Sequence, residues 1–320
     1  MATPAILPAP KTFAKRLIGG DELAKAFTFF FAGLIVIVTA VLVWQLWIGS
    51  SPAREKFGFG FLTSSLWNPV TDQYGALPFI YGTVLTSFLA LLIAVPLGVG
   101  AAIYLSELAT PKLSNTLTFF VELLAAVPSV IFGLLAIFTL VPLMRDYIQP
   151  ALIDAFGFTP LFAGPSFGVG YLTAGIILAV MTFPFIISVS REALLSVPRE
   201  QREAALALGA TKWESTWQIV VPFARLGILG SVFLGLARAL GETMAVTMVI
   251  GNDPAIHASL LAPGYTIAAV VANEFTEASG KMYPSALVEL GLVLFALTML
   301  INGLAQLMIA VTTRKGSAKA

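Results

Sequence analysis

The chain has no cysteine and a single histidine, His257, which together exclude a disulfide framework, a Cys/His metal site, a thiol nucleophile and most histidine-based triads. Charge is also scarce. Asp, Glu, Lys and Arg make up 11% of the 320 residues, and 18 basic against 17 acidic side chains leave a net +1; an ordinary soluble domain carries about a quarter charged residues. No basic field exists to recruit nucleic acid, and no acidic tract to solvate a disordered tail. The sequence also lacks a Gly-x-x-x-x-Gly-Lys-Ser/Thr loop, so this chain does not hydrolyse ATP by that route. Internal repeats are absent, and the N-terminal arm alone is compositionally biased.

What the chain does have is apolar length. Residues of the set AVILMFWYC make up 58% of it, and a bilayer-spanning helix needs roughly 20 of them in a run. Runs at Phe27–Ile48, Leu77–Tyr104, Leu117–Val141, Gly168–Ser190, Phe223–Ile250 and Pro284–Val311 predict an all-α integral membrane protein with six spans. The first run is too long for the h-region of a cleavable signal, so it reads as a true span. With both termini in the cytoplasm, Lys11, Lys15, Arg16, Lys25, Lys112, Arg191, Arg199, Arg202, Lys212, Arg225, Arg314, Lys315 and Lys319 lie inside. Arg54, Lys56, Arg145 and Lys281 then lie outside, a 13 to 4 split of the expected sign. Trp67, Asn68, Pro69 and Tyr74 suit a membrane-interface loop, and Ile267–Ala272, too short to span, suits a surface helix. His257, alone in an outer loop, reads as solvated.

The inner loop from Arg191 to Val221 is punctuated for two helices. Ser196 is placed to cap a first helix with Pro198 in its first turn, Gly209 suits a left-handed C-terminal cap, and Thr211-x-x-Glu214 forms a capping box for a second helix that stops before Pro222. Trp213 and Trp217 are four apart and share a face. Two readings fit: an amphipathic hairpin lying on the membrane, or a rigid elbow that docks in a partner.

Arg238 and Glu242 are spaced i, i+4 within the fifth run, where they can meet on one helix face. An uncompensated arginine at mid-bilayer costs about 2.5–3.5 kcal/mol, so Arg238 must face protein or water. Either the pair neutralises itself or the guanidinium, a planar donor fork, serves an oxyanion. Glu122 and Glu289, also within runs, are either further partners of Arg238 or interfacial. Gly227, Ser231 and Gly235, and again Ala237, Gly241 and Ala245, form small-residue stripes that allow close helix packing.

Glu203-Ala204-Ala205, Gly209 and Ile219-Val220-Val221-Pro222 resemble the EAA-x3-G-x9-I-x-L-P loop of ABC importer permeases, with Val221 where Leu is commonest. Gly235-Leu236-Ala237-Arg238-Ala239-Leu240-Gly241-Glu242-Thr243-Met244-Ala245-Val246 further resembles the fifth-span signature of phosphate permeases, the PstC family. Asp72-Gln73-Tyr74-Gly75-Ala76-Leu77-Pro78, Glu122-Leu123-Leu124-Ala125-Ala126-Val127-Pro128-Ser129 and Gly251-Asn252 do the same. The resemblance, from about Lys56 to Val311, implies the type I ABC importer permease fold in a bacterial inner membrane.

It also implies an ATPase-coupling role for Glu203, Ala204, Ala205, Gly209, Trp213 and Pro222, and a phosphate-passage role for Arg238 and Glu242. The implied partners are a homologous PstA-like permease, a PstB-like ATPase dimer holding ATP and Mg, a periplasmic PstS-like phosphate-binding protein, and membrane lipid; the chain itself needs no cofactor or metal. On this reading residues 1–26 are a cytoplasmic arm, 27–76 the first span and outer loop, 77–312 the permease core with coupling loop 191–222, and 313–320 a tail. Competing readings are a permease for sulfate, molybdate or phosphonate, and a non-transporting scaffold or sensor of phosphate status.

Overall fold

The computed structural model of the chain describes residues 21–317, with side chains over residues 22–310. The expected arm carrying Lys11, Lys15 and Arg16, and the side chains of Arg314, Lys315 and Lys319, lie outside the described residues. The chain forms two compact units divided between Gly49 and Ser50. The first is the helix α1, Asp21–Gly49.

The second unit begins with two short helices, α2 (Ser51–Phe57) and α3 (Gly60–Thr63). It continues through α4 (Leu77–Leu108), α5 (Pro111–Ala126), α6 (Ser129–Phe156), α7 (Tyr171–Leu195), α8 (Arg199–Ala207), α9 (Lys212–Leu240), α10 (Met244–Val249), α11 (Ile267–Glu274) and α12 (Met282–Ser317). Six helices, α1, α4, α6, α7, α9 and α12, are long and apolar enough to cross a bilayer.

Two expected spans change. The third does not run over Leu117–Val141: the chain is extended at Val127 and Pro128 (ψ 128° and 140°), which separates α5 from α6 and moves the span on to Ser129–Phe156. Proline forces its predecessor out of the helical region, and an uninterrupted apolar run had concealed that break. Arg145 therefore sits within α6 beside Asp146, 2.8 Å away, rather than in an outer loop. The fifth expected span, Phe223–Ile250, is in fact two helices, α9 and α10, with a break over Gly241, Glu242 and Thr243.

The second helix of the inner loop does not stop before Pro222 but runs straight into the fifth span. Proline lacks the N–H for an i→i−4 bond and its ring crowds that carbonyl, a conflict that a wider π turn relieves. Pro222 stands two residues beyond such a turn, Thr216–Val220. Pro142 and Pro150 in α6 stand two residues beyond Ala136–Leu140 and Met144–Ile148. These three prolines, like Pro96 in α4 and Pro184 in α7, sit inside long helices without ending them.

The interior is layered along α4. Near its start, Ala76 and Phe79 join Phe61, Tyr74, Tyr265, Ile267, Val270 and Leu290. At its middle, Leu89, Ala90 and Ala94 meet Ile177, Met181, Val246 and Val249. At its end, Ala102 and Ile103 pack with Leu194, Val197, Val220 and Ala224. The first layer corrects one expectation. Tyr74 is buried in it, and the Trp67 indole N–H donates to Glu274 Oε2 at 2.9 Å, an acceptor that Tyr283 shares at 2.7 Å. Ile267, Ala269 and Val270 are fully buried, so α11 is a core element and not a surface helix.

Candidate functional site

The inner loop folds as helix, elbow, helix. Ser196 does not cap α8; it ends α7, its Oγ donating to the Ala193 carbonyl at 2.7 Å, and Pro198 takes the N-cap position with extended backbone (ψ 142°). At the other end of α8, Gly209 adopts φ +90°, and the N–H groups of Gly209 and Ala210 close onto the carbonyls of Leu206 and Ala205 at 3.0 and 3.1 Å. This is the two-bond Schellman closure, which needs the left-handed conformation that glycine adopts without a Cβ penalty. Thr211 Oγ1 then accepts from the Glu214 N–H, while the Glu214 carboxylate accepts from the Thr211 N–H at 2.8 Å, a reciprocal box that starts α9.

Glu203 and Ala204 lie on the exposed side of α8, and Ala205 is half-buried. Leu206, Leu208, Trp213 and Trp217 are all exposed, and the two indoles meet edge to face with centroids 5.6 Å apart. So many large apolar side chains on a charged elbow form a surface suited to a partner. The clamp that holds this elbow was missed by the sequence reading. Arg202 donates to Glu107 through Nε (3.1 Å) and Nη2 (2.9 Å), to the Leu194 carbonyl through Nη2 (2.8 Å) and to the Val197 carbonyl through Nη1. One guanidinium thus ties α8 to the ends of α4 and α7, in a bidentate geometry that lysine cannot reproduce.

In the membrane-spanning part, α7 and α9 run antiparallel in a register set by small residues. A Cβ at Gly227 would stand 2.3 Å from the Ala193 Cβ, and one at Gly235 would stand 3.1 Å from Ile186 Cγ1. Between them Ser190 and Ser231 share a buried hydrogen bond of 2.7 Å. The expected stripe Gly227, Ser231, Gly235 is therefore the contact face with α7. The second stripe is no stripe, because α9 ends at Leu240: Gly241 has space around it, and Ala245 lies in α10 against Gly133 of α6.

The same register brings Arg238 to Phe185, with the guanidinium carbon 4.3 Å from the ring centroid. Arg238 and Glu242 form no ion pair among the described residues. The break at Gly241 puts them at the ends of different helices: Arg238 in the last turn of α9, and Glu242 just ahead of α10, its Oε1 accepting from the Ala245 N–H at 3.5 Å. Each charge faces the helix end of opposite sign, which favours separation over pairing. The Nε of Arg238 is buried and has no hydrogen-bond partner.

Glu122 lies on the exposed face of α5. Glu289 is buried in α12, its charged neighbour is Arg54 rather than Arg238, and its Oε2 has no hydrogen-bond partner. His257 is not simply solvated: its Nε2 lies 3.1 Å from Asp253 Oδ2. The two side chains line a cavity of about 380 Å³ with Pro165, Phe167, Ser259 and Pro263. Among the described residues no group of three or more His, Cys, Asp or Glu converges as a metal site would require.

The family described as binding-protein-dependent transport system inner membrane component matches residues 94–310. The chain is 47% identical over 312 residues to the phosphate transport system permease protein PstC of Mesorhizobium japonicum, with 96% of this chain and 95% of that protein covered. To the protein of the same name from Xylella fastidiosa it is 49% identical over 286 residues, covering 88% and 87%. Among solved structures, a chain of a bacterial alginate ABC transporter, crystallised with an alginate pentasaccharide-bound periplasmic protein, superposes with a TM-score of 0.59 at 16% identity. The superposition covers 92% of this chain and 96% of that one, a likeness of fold.

Proposed function

This chain belongs to the binding-protein-dependent transport system inner membrane components and, within them, to the PstC phosphate permeases; from that premise we propose that it is the permease subunit of an ATP-driven importer of inorganic phosphate, forming half of the pathway through a bacterial inner membrane. The observation that carries the reading is Arg238, a cation among the membrane-spanning helices whose buried Nε has no partner of its own. A phosphate oxyanion supplies what such a donor lacks, and a desolvated phosphate needs at least one fixed positive charge.

The cycle is alternating access. A second, PstA-like permease completes the pathway, and a PstS-like binding protein delivers phosphate on the side opposite the elbow. A PstB-like ATPase dimer holding ATP and Mg seats the exposed cytoplasmic elbow, with Glu203, Ala204, Ala205, Gly209 and Trp213 at the contact and Pro222 where the elbow's second helix enters the membrane. Closure of the motors moves the elbow, and the anion passes Arg238. Glu242 lies one short turn away at the break, where a second negative charge weakens anion binding enough for release. Glu122, on the exposed face of α5, and Glu289, whose charged neighbour is Arg54, take no part in the step at Arg238.

The test is uptake of labelled phosphate, with sulfate and molybdate as controls, in cells lacking this subunit and re-supplied with wild type, Arg238→Gln or Glu242→Gln. Assembly with the ATPase is checked in parallel. Loss of phosphate uptake alone on deletion, its return with wild type, and its absence from an assembled Arg238→Gln complex are expected. Normal transport by Arg238→Gln would remove that residue from the pathway. Loss of a different anion would make the chain a permease for another oxyanion, and unaltered uptake of all three would favour a scaffold.

A further inference from the structure

Phe185 has no place in the sequence motifs or in the cycle above, yet it provides the partner Arg238 has. The guanidinium carbon lies 4.3 Å from the ring centroid, and no carboxylate is paired with the arginine among the described residues. The approach is held from both helices: Ser190 bonded to Ser231 and Gly235 against Ile186 fix α7 and α9 on the same side of the contact. An aromatic face attracts a cation through its quadrupole, so the Phe185 ring stabilises the guanidinium without carrying a charge of its own. A ring carries no strong acceptor for the N–H donors, and the Nε of Arg238 has no hydrogen-bond partner. A carboxylate partner would do the reverse, filling the fork that an incoming oxyanion must use.

We infer that Phe185 is the positioning residue of the anion pathway: it holds Arg238 between α7 and α9 by its ring, leaving the guanidinium donors uncommitted to a carboxylate and available to a tetrahedral oxyanion. The inference rests on the reading of Arg238 as a pathway residue. Charge compensation by a ring is weaker than by a carboxylate and does not compete for the same atoms, which suits a site that must bind an anion and let it go. The ring therefore sets how often the arginine is ready to receive an anion, whereas capture of phosphate from dilute solution belongs to the binding protein. Its effect falls on the maximal rate of uptake rather than on the half-saturating phosphate concentration.

The experiment replaces Phe185 in the whole transporter, in cells, with mono-, di- and trifluorophenylalanine by nonsense suppression, alongside Phe185→Leu and Arg238→Gln, and measures phosphate uptake kinetics. Fluorination drains the negative face of the ring while nearly preserving its shape, so a purely structural role leaves the series flat. The expected result is a stepwise fall in maximal rate, reaching about three- to tenfold at the trifluoro residue, with the half-saturating concentration unchanged. A flat fluorinated series overturns the inference, whether or not Phe185→Leu is impaired, because a loss in leucine alone is a loss of shape. If Arg238→Gln abolishes uptake while the series is flat, only the role of Phe185 fails; if Arg238→Gln transports normally, the pathway reading itself fails.

Discussion

Arg202 and Glu107, 95 residues apart in sequence, meet in a two-pronged ion pair of 2.9 and 3.1 Å that joins the elbow helix α8 to the end of α4. Both side chains are largely buried, at 20% and 10% exposed. Removing one partner of such a pair strands the other, at a cost on the order of 3 kcal/mol. Arg202→Ala is expected to loosen α8, with faster amide exchange over residues 196–212, and to leave ATP hydrolysis by the reconstituted complex running with little phosphate transport. Arg202→Lys recovers only part of the coupling, since an ammonium cannot fork. Exchange rates equal to wild type in Arg202→Ala would show that the elbow is held by other contacts.

Gly209 carries φ +90° with open space around its Cα. Any side chain there is strained by backbone conformation and not by a neighbour. Gly209→Ala should cost about 1–2 kcal/mol, and a β-branched valine more. Coupled ATP hydrolysis is expected to fall in that order while the spans remain folded, as read by thermal unfolding of the purified complex against the rate of hydrolysis.

Gly227 faces Ala193 so closely that an added methyl would stand 2.3 Å from the alanine Cβ. Gly227→Leu should separate α7 from α9 at a cost of about 1–3 kcal/mol. Ala193→Gly in the same chain makes room for part of the added side chain. A double-mutant cycle on thermal unfolding, with a coupling energy above about 0.5 kcal/mol, checks that the two positions touch.

Tyr74 and Tyr265, both in the layer at the start of α4, have phenols pushed up to about 12 from 10.0, chiefly by burial and then, for Tyr74, by Asp72. Acids with raised folded values contribute stability that is complete below their unfolded value and is lost as pH climbs through the folded one. The layer is therefore expected to be insensitive to pH below about 10 and to weaken between 10 and 12. Tyrosinate absorbance, followed against the melting temperature across that range, tests this. Tyr74→Phe should remove part of the alkaline loss.

Features written in adjacent residues could be read from the sequence. Gly209 with Thr211 and Glu214 defines two helix ends within six positions, and the structure has both caps. Hydropathy located most spans, because a bilayer helix needs an apolar run and little else. It failed where the run did not stop but the backbone did: Val127-Pro128 and Gly241-Glu242 interrupt long apolar stretches, and hydropathy alone separates neither α5 from α6 nor α9 from α10. That second break also undid the i, i+4 argument for Arg238 and Glu242. Arg202 with Glu107, Arg238 with Phe185 and Trp67 with Glu274 were illegible for a different reason. Each depends on which helices become neighbours, and one chain's periodicity does not encode that.

The π turn before Pro222 leaves α9 as one rod from Lys212 to Leu240, with Trp217 near one end and Arg238 near the other. At 1.5 Å per residue these side chains are separated by about 30 Å of axis, so a tilt of about ten degrees pivoted at the tryptophan displaces the arginine by about 5 Å. A guanidinium over a ring tolerates far less than that before the contact is lost. The break at Gly241 keeps the swing from dragging α10 along. A rigid helix that stops just after its last charged residue thus works as a lever with its load at the tip, and a small rotation at the elbow is sufficient to make or break the contact between Arg238 and Phe185.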